Sequence, residues 1–432
     1  MNKIYENDSY IKECDTVITD VQTTDDGTYI SLRDSIFFPK EGGQYADTGC
    51  VTLGAYEFEI LDGQIENHSS DSVVDITNNN ANHSSSLPDG IWYRIDFSGS
   101  YKKQNAKLPA LSDILVTNSE IRCFLDYDKR YDRMQNHTGE HILTGTVHND
   151  YGYNNVGFHL SDDGLVTLDL DGPLTYEQIM EEEAKANSVV YSNLSIKASY
   201  PSKEELKDIE YRSKIEIEGQ VRLITIGDDD NPVDICACCA PHVARTGEVG
   251  IIKVISIVNW KGGVRIGILC GRRALEYINH RQDIIMGLTG LMTTNEDNLL
   301  SRVRGQMEEI KELKAKLSGA LESDIVSRIE KGDSDIERTH LVFTDADFPA
   351  APMKNIYNVL KSRYPGYVGI FAGSDTEGYR YLAGSKDIDS KSLIPILNKI
   401  GAKGGGSSDM IQGRVNASKS DIERLFTGIK HA

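Results

Sequence analysis

No run of eighteen consecutive apolar residues occurs in this chain of 432 residues, so the sequence predicts no membrane span. The opening residues, Met1 to Glu6, lack the apolar core of a secretory signal. Cysteine is scarce. There are seven, three of them between Cys236 and Cys239, which argues against a disulfide framework and for a reducing cytoplasm. Basic charge is also short: the net charge of −20 has the wrong sign for a nucleic-acid binder. Its distribution changes that reading. From Ile336 to Ala432, 13 Lys and Arg stand against 10 Asp and Glu, whereas the preceding residues carry 33 against 56. The basic part is therefore the last domain. In other respects the composition is ordinary, with 39% hydrophobic and 26% charged residues. At roughly 100–200 residues per domain, the length holds two to four of them.

Two short stretches, about a hundred residues apart, concentrate borderline metal ligands. The first is Asn136-His137-Thr138-Gly139-Glu140-His141-Ile142-Leu143, and the second is Cys236-Ala237-Cys238-Cys239-Ala240-Pro241-His242-Val243. Each holds a pair four residues apart. On a helix, positions i and i+4 share a face, so His137 and His141 can converge on one ion. Cys238 and His242 lie in a segment that reads as a turn, with Pro241 among small residues. One cysteine and three histidines suit a four-coordinate zinc. They occupy four of the 17 Cys and His positions of the chain. Spacing leaves Cys236 and Cys239 as rival ligands.

The chain reads as a multidomain α+β protein without regular βαβ alternation. Residues 1–110 form an N-terminal β-barrel-like domain, with strand-like runs at Thr16–Val21, Thr28–Leu32 and Trp92–Phe97. The Asn-, Ser- and Asp-rich stretch from Asn67 to Pro88 reads as a loop or hairpin tip. Within this domain Phe37 to Gly49 contains paired glycines, Gly42 and Gly43. These allow close backbone approach to a ligand, although the residues by themselves favour a tight turn. Residues 111–280 form an α+β segment. It has a helix from Asp128 to His148, strands near Val156–Leu160 and Leu165–Leu170, and a helix from Thr175 with Gln178 completing a capping box. Residues 281–335 form a helical linker with a coiled-coil-like seam at Leu299, Val303, Met307, Ile310, Leu313 and Leu317, suited to dimerisation. Residues 336–432 form a C-terminal α/β domain. Its glycine-rich stretch, Lys403 to Arg414, reads as a flexible loop by composition, and its adjacent glycines between basic flanks could wrap a phosphate backbone.

In this order the pieces resemble one family, the freestanding alanyl-tRNA editing proteins, and equally the editing and C-terminal parts of alanyl-tRNA synthetase. The resemblance rests on His137 to Leu143, on Cys238-Cys239-Ala240-Pro241-His242-Val243, on Arg245 to Gly250, on Gly271 to Leu275, on Phe37 to Gln44 and on Lys403 to Gln412. Cys239, Ala240 and Pro241 replace the usual Gly-Gly-Thr, and Glu41 replaces the first of three glycines. The resemblance implies one zinc ion on His137, His141, Cys238 and His242. It implies a hydrolase, an aminoacyl-tRNA deacylase clearing serine, and possible glycine, from mischarged alanine tRNA. Gly42 and Gly43 are expected to receive the terminal adenosine. Gln44, Thr48 or Thr138 is expected to bond the serine hydroxyl, with Gln44 and Thr138 as the catalytic residues. Lys403, Gly404, Gly405, Gly406, Gln412 and Arg414 are expected to bind tRNA in a domain like the DHH-associated one. A homodimer through residues 281–335 and the C-terminal domain, in the cytoplasm, completes the expectation. The synthetase itself is not expected, since 432 residues starting at a β domain leave no room for an aminoacylation domain. The alternative is a non-catalytic RNA-binding protein structured by zinc. A phosphoesterase ranks below both, because the chain has no Asp-His-His sequence and no carboxylate-rich metal cluster.

Overall fold

A computed structural model describes residues 1–67, 87–104, 107–161, 165–213, 219–228, 230–331, 339–345 and 348–429. The loop expected from Asn67 to Pro88 and the domain boundary expected near residue 335 lie largely outside these ranges. The protein is a multidomain α+β chain in two compact units, Met1–Ile284 and Ile285–Ala432.

The first unit begins with a closed six-stranded barrel. Its strands are β1 (Glu13–Thr24), β2 (Gly27–Leu32), β3 (Gly49–Leu53), β4 (Tyr56–Glu66), β5 (Gly90–Phe97) and β6 (Glu120–Leu125), in the order β1-β2-β5-β4-β3-β6. Period-2 alternation sends Ile18, Ile30, Phe58, Ile95 and Ile121 into one core. The strand that closes the barrel is β6. It pairs with β1 (Cys14 opposite Cys123) and with β3 (Cys50 opposite Phe124), so the barrel runs past the expected limit at residue 110. The alternation Ile121, Cys123, Leu125 is what makes β6 a barrel strand, since those three side chains are buried in the barrel core.

One residue after β6 the chain enters α1 (Tyr127–Tyr151), capped at its start by Asp126 and ended by Gly152 at φ 71°. Around α1 are packed a four-stranded antiparallel sheet and a smaller three-stranded one. The first has the order β12-β13-β8-β7, from β7 (Asn155–Leu160), β8 (Val166–Leu170), β12 (Ile252–Trp260) and β13 (Gly263–Cys270). The second has the order β9-β10-β11, from β9 (Ile196–Ser199), β10 (Leu223–Asp228) and β11 (Asn231–Ala237). Helix α2 (Tyr176–Ser192) opens with the Thr175–Gln178 capping box. The helix α3 (Gly271–Met292) follows β13 directly.

The second unit holds α4 (Glu296–Lys331), on which Met307, Ile310, Leu313 and Leu317 are all exposed. A five-stranded sheet follows, in the order β14-β15-β16-β18-β17. Its strands are β14 (Thr339–Thr344), β15 (Tyr367–Ser374), β16 (Gly378–Gly384), β17 (Lys403–Gly406) and β18 (Ile411–Val415), with α5 (Ala350–Arg363) and α6 (Lys419–Thr427) between and after them. The glycine stretch read as a flexible loop is therefore an edge strand: Lys403 pairs with Arg414 and Gly405 with Gln412. Composition misleads here because a two-stranded ribbon can be held by backbone bonds alone, without side chains to pack. Among the described residues, no helix is long and apolar enough to cross a membrane.

Candidate metal centre

Helix α1 is unusual because it is polar in sequence yet buried along most of its length, from Arg130 to Val147. Buried polar groups need partners, and the partners here define a site. His137 and His141 sit one turn apart with ring centroids 5.3 Å apart. The irregular segment after β11 brings Cys238 and His242 onto them. The ring of His242 lies 4.9 Å from that of His137 and 4.8 Å from that of His141. Cys238 Sγ lies 3.6 Å from His137 Nε2 and 3.3 Å from His242 Nε2. The four candidate ligand atoms are all within 4.8 Å of one another. A tetrahedral zinc with Zn–N of about 2.0–2.1 Å and Zn–S of about 2.3 Å separates sulfur from nitrogen by roughly 3.5 Å, so the donor set fits such an ion.

The outer contacts fit as well. Each histidine has its Nδ1 held: His137 by Gln44 Oε1 at 2.7 Å, His141 by Asp234 Oδ2 at 3.1 Å, and His242 by Thr138 Oγ1 at 3.0 Å. A neutral imidazole donating through Nδ1 presents the lone pair of Nε2, the form a metal ligand needs. Burial drives the His242 pKa down to about 3, so this ring is neutral at physiological pH. For Cys238 burial opposes ionisation. The neighbouring His137, foremost among its partners, outweighs it, and the thiol sits well below its ordinary value.

Of the rival cysteines, Cys236 is in a second group with His141 and Asp234. That group is scaffold, because Arg212 already holds both Asp234 oxygens at 2.7 and 2.9 Å. Burial opposes the charge of Asp234, but the bonds from His141 and Arg212 prevail and lower its pKa. Cys239 is outside both groups. Burial, and then the carboxylate of Glu41, hold its thiol well above the ordinary range. Asp234 and Arg212 escaped the sequence reading. The only trace of Asp234 there is its place two residues before Cys236, on the same face of β11.

The glycine motif arrives between β2 and β3. Backbone bonds of 3.2 and 3.0 Å between Glu41 and Gln44 close a tight turn, with Gly42 at φ 59° and Gly43 at φ 84°. Gly43 O accepts from Leu160 N at 3.0 Å, and a Cβ on Gly43 would stand 2.5 Å from Phe158 O. Phe158 in turn lies 4.7 Å from the His137 ring. Gly43 thus packs against β7, whereas Gly42 is exposed to open space. Asp47 pins the motif to α1 through a buried ion pair with Arg130, and Arg133 Nη1 donates to Ala46 O at 2.6 Å. Thr48 is placed elsewhere than Gln44 and Thr138. It faces Asp126 at 3.4 Å and Lys129 at 3.3 Å, at the start of α1 and more than two turns before His137. Gly139 allows α1 to approach β13, since a Cβ there would overlap Cys270 Sγ.

In the second unit, Lys403, Gln412 and Arg414 are exposed on the β17–β18 ribbon. Arg414 also pairs with Arg380 on β16, so Lys403, Arg414 and Arg380 form one cross-strand basic row. Arg380 was missed in the sequence reading, where it stands between Tyr379 and Tyr381 with no motif around it.

Alanyl-tRNA editing protein AlaX-L of Pyrococcus horikoshii is 24% identical over 98% of this chain and 96% of that protein. The chain resembles the alanyl-tRNA editing proteins over nearly its whole length. The domain family described as the threonyl and alanyl tRNA synthetase second additional domain matches residues 221–266, which include Cys238 and His242. The alanine–tRNA ligases of Ignicoccus hospitalis (24% identical) and Clostridioides difficile (25%) match 94% and 95% of this chain. The chain spans only 40% and 44% of those two ligases. The C-Ala domain of Aquifex aeolicus alanyl-tRNA synthetase matches 21% of this chain and 91% of its own, at 19% identity and a TM-score of 0.18.

Proposed function

We propose that this protein is a zinc-dependent deacylase that clears wrongly attached serine, and with it glycine, from alanine tRNA. The observation that carries the reading is the convergence of His137, His141, Cys238 and His242 within 4.8 Å, with every histidine Nδ1 already held from outside. The name of its full-length relative supports alanyl-tRNA editing as the setting.

Zinc held by His137, His141, Cys238 and His242 would order the pocket and supply positive charge that anchors or polarises the aminoacyl ester. The chain's own residues do the rest. The ester is already reactive, so catalysis needs positioning and a preorganised polar environment more than a strong nucleophile. Thr138 Oγ1 accepts from His242 and, at 3.4 Å, from Val243 N, which leaves its own proton to donate to a serine hydroxyl. A site that bonds a hydroxyl rejects the alanyl group, which lacks one, far better than size exclusion does. Gly42, exposed at the turn, is where the terminal adenosine reaches the motif. The basic row of Lys403, Arg414 and Arg380, with Gln412 and the glycines Gly404 to Gly406 beside it, takes the phosphate backbone. Two copies associate through the apolar stripe of α4.

The reading is tested by stripping the metal with a chelator and restoring zinc while following loss of serine from charged alanine tRNA. Deacylation should disappear and return with one zinc per chain. A rate that survives complete removal of zinc would exclude the metal from the reaction.

A further inference from the structure

The turn from Glu41 to Gln44 leaves two polar atoms unaccounted for. Gln44 is fully buried. Its Oε1 accepts from His137, but its Nε2, a donor with two hydrogens, has no partner among the described residues. Glu41 shows the converse: its carboxylate lies beside the Cys239 thiol, yet its Oε2 is buried and has no hydrogen-bond partner among the described residues. The two residues are joined by reciprocal backbone bonds, yet the orphaned donor and the orphaned acceptor do not satisfy one another. Each costs desolvation free energy, and native structures keep such groups where something else comes to fill them. Flipping the amide does not help. A His137 that offers Nε2 to a cation keeps its proton on Nδ1, and only Oε1 can accept that proton.

Position indicates what fills them. The three histidines are buried, whereas Cys238, Cys239, Glu41 and Gly43 are half-buried and Gly42 is exposed, so the accessible side of the cluster is the side of this turn. The nearby cation Lys3 is engaged by Glu6 at 3.0 Å. A ligand that offers both an acceptor oxygen and an ammonium group complements the chemistry of the two orphans. An α-amino ester is such a ligand.

We propose that this turn is the receptor for the aminoacyl group: Gln44 Nε2 donates to the ester carbonyl oxygen, and the Glu41 carboxylate receives the α-ammonium. The proposal rests on the deacylation reading above. As water adds to the carbonyl carbon, the Gln44 donor stabilises the charge growing on the carbonyl oxygen. The bond from that carbon to the ribose oxygen then breaks, and the ribose oxygen takes up a proton. Glu41 makes a free amine a requirement, so an N-formylated aminoacyl ester is refused.

The test uses two stable amide mimics of the charged terminus, 3′-deoxy-3′-(serylamino)adenosine and the same compound lacking the α-amino group, with the zinc-loaded full chain. Wild type should prefer the amine-bearing mimic by about tenfold or more. Glu41→Gln should cut that preference below about twofold with zinc content unchanged. Gln44→Glu keeps an acceptor for His137, so it should hold zinc like wild type while binding both mimics more weakly and deacylating about 10²–10³-fold more slowly. Gln44→Leu should in addition lose about 10–100-fold in zinc affinity. The proposal is overturned if wild type shows no preference, if the preference survives Glu41→Gln, or if zinc-loaded Gln44→Glu deacylates at the wild-type rate. Failure of wild type to deacylate any charged tRNA would instead defeat the functional reading, and the preference between mimics would still report on Glu41.

Discussion

Asp234 shows how a candidate ligand, His141, depends on a residue outside the four that would hold the metal. Asp234 accepts from His141 Nδ1 and is itself gripped by Arg212. We predict that Asp234→Asn lowers zinc affinity by about 10–100-fold, measured by competition with a chromophoric chelator. An affinity equal to wild type would mean that the ring needs no outside support. The spacing of four within a helical segment makes His137 and His141 legible as neighbours from the sequence. The choice of Cys238 over Cys236 and Cys239 was not legible from spacing and came only with the resemblance, because it depends on the register of β11 and on the turn that follows it. Register is a pairing property: Ala237 is the last β11 residue opposite β10, and Cys238 leaves the ladder to face the histidines. Gly139 is a second residue whose role appears only in three dimensions. Gly139→Ala should cost about 1–3 kcal/mol through overpacking against Cys270, read from denaturant unfolding. Adding Cys270→Ala should recover part of the loss, because the two changes share one contact.

Helix α1 is polar in sequence and buried in the fold. Its existence was legible from the stretch between Asp128 and His148, but its burial was not. A helix rich in Gln, Asn, His and Thr reads as a surface element, whereas here both sheets enclose it. Burial becomes affordable because its side chains find partners. Asn136 Oδ1, for example, accepts from Cys270 N at 2.9 Å, and Arg130 pairs with Asp47. Removing one member of that buried ion pair strands the other. Asp47→Ala should destabilise the first unit by about 3–5 kcal/mol, visible as a shift in the unfolding midpoint, while a change of under half that size would show that Arg130 finds another partner. The glycine-rich ribbon of the second unit teaches the opposite lesson. Composition suggested a loop, and pairing between Lys403 and Arg414 makes it a strand. Backbone hydrogen bonding across strands leaves no mark in residue type.

For the whole molecule, charge and exposed apolar surface are divided along the chain. The acidic balance lies before Ile336 and the basic excess after it, where the row of Lys403, Arg414 and Arg380 is found. Reversing Lys403 and Arg414 to Glu should weaken tRNA binding and flatten its salt dependence by about two phosphate contacts, measured by titration at several salt concentrations. The repeating apolar positions of α4 were legible as a seam, and they remain exposed in the single chain: Met307 is 67% and Leu313 55% accessible. Sedimentation should show a dimer that Leu313→Glu with Leu317→Glu converts to a monomer. A wild-type monomer at micromolar concentration would leave the stripe for another role.

The proposed activity is selective removal of the wrong amino acid at the candidate metal site. The measurement that tests it most directly is the ratio of deacylation rates for seryl- and alanyl-charged alanine tRNA, with Cys238→Ala beside the wild type. The account predicts rapid loss of serine, little loss of alanine, and neither above background in Cys238→Ala. Equal rates for both amino acids, or an undiminished rate in folded Cys238→Ala, would contradict it.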